Sequence, residues 1–65
     1  MNRLELEARI RTEGYEPFGT FKDSILYRRD ETRRLLTEEL PDHNIRYIFY
    51  NIVNTNQEGG IAEGP

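Results

Sequence analysis

Apolar positions gather most densely in residues 45–53, Ile-Arg-Tyr-Ile-Phe-Tyr-Asn-Ile-Val. β-Branched and aromatic residues dominate this stretch, and Asn44, Asn51 and Asn54 fall at or near its ends, so it predicts a strand. Alternation puts Ile45, Tyr47, Phe49, Asn51 and Val53 on one face and Arg46, Ile48, Tyr50 and Ile52 on the other. Both faces are largely apolar, so both call for cover. A chain of 65 residues has little material to provide it twice.

The N-terminal pattern is double-edged. Leu4, Leu6, Ala8 and Ile10 alternate with charged residues, as in a half-wet strand. The residue types, however, are strong helix formers. Glu5–Arg9 and Glu7–Arg11 are spaced i,i+4 with the acid first, the better orientation on a helix. Asn2 suits the N-cap, and Gly14 followed by Tyr15 suits a left-handed C-terminal stop. These signals predict a helix over 3–13. Residues 14–24 carry Gly14, Pro17 and Gly19 among the large apolar groups Tyr15, Phe18 and Phe21, and read as a lid or short edge strand that fills the core, the alternative being an exposed aromatic loop that serves as a binding surface.

Two architectures fit the middle of the chain. Residues 24–29, Ser-Ile-Leu-Tyr-Arg-Arg, predict a strand. In the preferred reading Asp30 caps a helix over 31–40, with Leu35, Leu36 and Leu40 on its apolar edge and Pro41 as its stop. That makes 24–53 a strand–helix–strand unit with parallel pairing. In the alternative, Asp30–Arg33 is a hairpin loop, 34–38 is a strand, and the sheet is an antiparallel meander behind one helix. The loop lacks the Asn-Gly or Asp-Gly pair of a tight hairpin. The expected class is α+β: helix 3–13, strand 24–29, short helix 31–40 or a third strand, long strand 45–53. The expected organisation is one small domain over 1–54, with 55–65 a flexible, disordered tail, since a segment this small and polar buries little.

Composition narrows the partners. Charged residues make up 32 % and hydrophobic ones 35 % of the chain, and mean hydropathy is −0.84. Seven aromatics argue against full disorder, and the absence of cysteine removes disulfides and thiolate metal sites. A core this small holds roughly 3–5 kcal/mol, which makes self-association an inexpensive remedy. Net charge −3 opposes nonspecific binding to nucleic acid or an anionic membrane. No apolar run approaches the ~20 residues of a membrane span. The charged start Met1–Glu5 carries no secretory pattern, so the cytoplasm is the expected compartment.

Candidate chemistry is sparse. His43, the single histidine, lies between Asp42 and Asn44 after Pro41 and reads as a solvated turn residue. No metal set, phosphate loop or cofactor motif is present in the sequence. Arg28, Arg29, Arg33 and Arg34 bracket Asp30-Glu31-Thr32. If a helix began there, its free amides and the guanidinium forks would make a site for a nucleotide or RNA. The competing acids Asp30 and Glu31 favour a solvated, ion-paired surface instead.

The sequence therefore predicts a non-enzymatic protein-interaction module, a regulator or inhibitor. It is expected to bind a protein partner and to form a homo-oligomer through the two-faced strand 45–53. Arg46, Tyr47, Phe49 and Tyr50 are the expected contact residues, since aromatics and arginine anchor interfaces. Strand addition is the expected mode if that strand lies at an edge. Short, acidic, cysteine-free mixed chains are common among regulators encoded by phages and other mobile elements, an association of size and composition alone.

Overall fold

The computed structural model describes residues 1–64. Helix α1 (Arg3–Glu13) begins in a capping box. The Glu5 backbone N–H donates to Asn2 Oδ1 at 2.8 Å, and the Asn2 N–H donates to Glu5 Oε1 at 3.1 Å. Two otherwise orphaned amides are thereby satisfied. Gly14 ends the helix at φ 80°, a left-handed conformation that a residue without Cβ adopts freely. The Tyr15 N–H then reaches back to the Ile10 carbonyl at 2.9 Å, and the Tyr15 side chain turns into the core.

Five strands follow: β1 (Glu16–Phe21), β2 (Ser24–Arg28), β3 (Arg33–Glu39), β4 (Ile45–Asn51) and β5 (Gln57–Ala62). They pair in chain order, every neighbour antiparallel. This overturns the strand–helix–strand layout. Residues 31–40 form no helix, and nothing pairs in parallel within the sheet. Asp30 explains why its signal was ambiguous. Its Oδ1 accepts from the backbone N–H groups of Thr32 and Arg33, both at 2.9 Å. A helix N-cap satisfies the same kind of amides, but here the bonds close a hairpin turn. The chain then extends, and β3 gains ladders from both β2 and β4, a tertiary gain that outweighs the helix propensity of its Arg, Leu and Glu residues.

The expected flexible tail is also overturned. Residues 57–62 pair with β4 from Tyr50↔Gln57 to Ile45↔Ala62; Pro65, the last residue of that expected tail, lies outside the described residues. β5 orders because a neighbour supplies its hydrogen bonds, a requirement that local composition does not reveal. The Arg3 N–H donates to the Glu63 carbonyl at 2.7 Å, tying the start of α1 to the end of the sheet. Strand β4 is second from the edge, with both ladders occupied, so strand addition to residues 45–53 is excluded.

Helix α1 covers one face of the sheet only. Leu6 packs with Tyr15, Leu35, Tyr47, Phe49 and Ala62, and Ile10, Tyr27 and Ile45 pack against them. The Phe49 ring meets those of Tyr15 and Tyr47 edge-on, at centroid distances of 5.5 and 5.8 Å. Gly60 lies opposite Tyr47, and a Cβ there would come within 2.9 Å of the Tyr47 hydroxyl oxygen. The missing side chain lets the tyrosine lie down over β5.

Candidate functional site

Among the described residues no element covers the other face of the sheet. Register arranges it in three rows across the strands. The middle row is Gly19, Leu26, Leu36, Ile48 and Gly59. One flanking row is Phe21, Ser24, Glu38, Arg46 and Ile61, and the other is Glu16, Arg28, Arg34, Tyr50 and Gln57. Phe18 is the extra residue where the β1–β2 register shifts between Pro17 and Gly19, and such bulges re-aim a side chain. Its ring lies 5.1 Å from the Arg28 guanidinium and 6.0 Å from that of Arg34.

The result is an apolar platform with a charged margin. Phe18 is 58 % exposed, Phe21 71 %, Leu36 40 % and Ile61 41 %. Together with half-buried Leu26 and Ile48 they leave an apolar surface open to solvent. Gly19 carries no side chain to fill the space beside Leu26 and Leu36. A hollow of about 230 Å³ opens there, bordered also by Phe21 and Ser24. At one margin Arg46 Nη1 pairs with Glu38 Oε1 at 3.3 Å. At the other, Arg28 and Arg34 stand opposite one another on adjacent strands, an unfavourable like-charge pairing. Among the described residues, Arg28 takes part in no ion pair.

Strand β4 divides the expected contact residues. Arg46 and Tyr50 stand on the open face, whereas Tyr47 and Phe49 lie buried beneath α1 as core. The four arginines of the expected anion site are divided as well. Arg28 and Arg34 flank Phe18; Arg29 pairs with Glu13 at the helix end at 3.6 Å; Arg33 pairs with Asp30 at 3.7 Å. Arg34 Nη1 donates to the Asp30 carbonyl and Nη2 to that of Glu31. Phe18 and Phe21, expected in the core, lie on the surface. Leu26, Leu36 and Ile61, which sequence reasoning missed, complete the platform with Ile48, which alternation already puts on the face of Arg46 and Tyr50. The available signal was alternation through 24–28 and 34–38, once both are taken as strands.

Arg9 ties the helix to the sheet on the covered face. Its guanidinium meets Glu58 through two hydrogen bonds of 2.8 and 3.1 Å, reaches Glu13 at 2.8 Å and lies 3.9 Å over the Phe49 ring. The bonds to Arg9 hold the Glu58 carboxyl below its ordinary 4.5. The backbone N–H of Thr32, then that of Arg33, does the same for Asp30 below 3.8. A carboxyl whose folded value is depressed stabilises the fold above its ordinary value and ceases to as pH falls through the folded one. The melting temperature should accordingly hold from neutral pH down to about 4.5, the ordinary carboxylate range, and fall below it. Thermal melts over that range test this, and Glu58→Gln should flatten part of the fall. An unchanged profile in that variant would remove the Arg9–Glu58 pair from the explanation.

No family model, curated protein or solved structure matches this chain. Among the described residues no helix is long and apolar enough to cross a membrane. No group of three or more His, Cys, Asp or Glu side chains among them converges on a metal position. His43 is in the turn before β4, its side chain 83 % exposed and Nδ1 3.5 Å from Glu39 Oε2.

Proposed function

We propose that this protein is a small protein-binding module, a regulator or inhibitor that acts by occupying a partner through the open face of its sheet. The observation that carries this reading is the uncovered row Leu26–Leu36–Ile48, bordered by exposed Phe18, Phe21 and Ile61. Aliphatic side chains at the centre with aromatics and arginines around them match the anatomy of a protein interface. A single-stranded nucleic acid would instead want stacking rings along the centre. The divided arginines and the net charge of −3 give a phosphate ligand less support.

A benzophenone photo-crosslinker in place of Leu36, activated in the producing cells, tests the reading. The control position is Leu4, 67 % exposed on α1. Protein adducts should form from position 36 and be absent from position 4. Nucleic-acid adducts from position 36, or none at all, would overturn the proposal.

A further inference from the structure

The open face carries an approximate symmetry about its own middle row. Glu38 and Arg34 lie two residues either side of Leu36 on β3; Arg46 and Tyr50 lie two residues either side of Ile48 on β4. Ser24 and Arg28 flank Leu26 in the same way on β2. Each pair places unlike, mutually attractive or compatible groups at the two margins. A surface of this kind can meet a copy of itself turned through 180°, as a two-fold interface requires.

Two in-plane axes bring sheet against sheet, and charge chooses between them. An axis along β3 sets Glu38 against Glu38 of the second copy and Arg34 against Arg34, like on like. An axis along the middle row sets Glu38 against Arg34 of the second copy, and the reverse, twice. It brings the Arg46 guanidinium over the Tyr50 ring of the second copy, a cation–π arrangement. It stacks the leucines and isoleucine of the middle row on their own counterparts. It also carries Phe18 of one copy over the hollow beside Gly19 of the other. That hollow, about 230 Å³, has room for a phenyl ring, since cavities of about 150 Å³ take benzene.

Resting on the reading of the open face as a protein-binding surface, we infer that its occupant is a second copy of this chain, related by a two-fold axis along Leu26–Leu36–Ile48. The two sheets then form a ten-stranded sandwich in aligned packing, with α1 outermost on each side. Five strands at their usual spacing, three rows deep, give a flat footprint of about 500 Å² per copy. The roughly 1,000 Å² hidden across both copies stands at the lower bound for a biological interface, the size of a weak, concentration-dependent dimer.

Charge exchange tests the arrangement with the full chain. In sedimentation equilibrium at micromolar concentration the native protein should run at twice its 7.7 kDa. Glu38→Arg and Arg34→Glu each set like charges face to face twice, so each alone should associate about 100-fold more weakly. Mixed together the two variants should pair one to one, because each supplies what the other lacks. Phe18→Ser, on a side chain 58 % exposed, leaves the core untouched and should also weaken the dimer. Circular dichroism of every variant verifies folding. A native chain that stays monomeric, or variants that fail to complement when mixed, would overturn the dimer. Protein adducts of other masses at position 36 would in that case still uphold the broader reading, whereas nucleic-acid adducts there would end both.

Discussion

Leu35→Ala is expected to unfold the protein. Leu35 is, among the described residues, the one large side chain with no exposure, held between Tyr27 of β2 and Phe49 of β4 under the helix. Truncating a buried leucine costs about 2–5 kcal/mol, part of it lost transfer energy and part the cavity left behind. A cysteine-free domain of this size holds roughly 3–5 kcal/mol in all. The substitution therefore removes most of the stability or all of it. Circular dichroism melts and amide dispersion would report the loss; a cooperative transition close to the native one would mean that the core is larger than Leu6, Tyr15, Leu35, Tyr47 and Phe49 make it.

One residue on, Leu36→Glu is expected to leave the fold standing and to abolish association. Leu36 points the other way and is already 40 % exposed. A carboxylate there remains in water in the isolated chain, so the cost to folding stays within about 1 kcal/mol. At the interface the same change sets two carboxylates against each other on the two-fold axis, inside an apolar row. Like charges juxtaposed across an interface cost several kcal/mol, enough to take a micromolar dimer beyond detection. The measurement is a melt paired with sedimentation at the same concentration. Loss of the cooperative melt would show that the open face belongs to the core, while an undiminished dimer would place the contact elsewhere.

The contrast between these neighbours turns on period. On a helix Leu35 and Leu36 share an edge with Leu40; on a strand they face opposite ways. Reading 31–40 as a helix concealed the open face, because it assigned both leucines to one side. Asp30 did not resolve the choice, since a carboxylate that accepts from the amides two and three residues on begins a helix or closes a turn equally well. The aromatics of 14–24 were misassigned for a related reason. Tyr15 is core and Phe18 and Phe21 are surface, and which is which depends on a bulge at Phe18 that residue type does not announce. For the candidate site, Arg46 and Tyr50 were legible from alternation along β4, while Tyr47 and Phe49 were named with them because both faces of that segment looked equally apolar.

Local chemistry alone determined α1 and the two-faced character of residues 45–51. A capping box and a left-handed glycine act within one or two turns, and alternation acts within a single strand, so neither needs distant partners; the expected Glu5–Arg9 and Glu7–Arg11 pairs do not form, and Arg3–Glu7 and Arg9–Glu13 take their place on the helix. Tertiary structure decided the rest. Residues 33–39 became a strand, 57–62 joined the edge of the sheet, and one apolar face received the helix while the other did not. Each of those outcomes depends on hydrogen bonds and cover supplied by segments far along the chain, and a stretch of sequence carries no record of which neighbour will supply them.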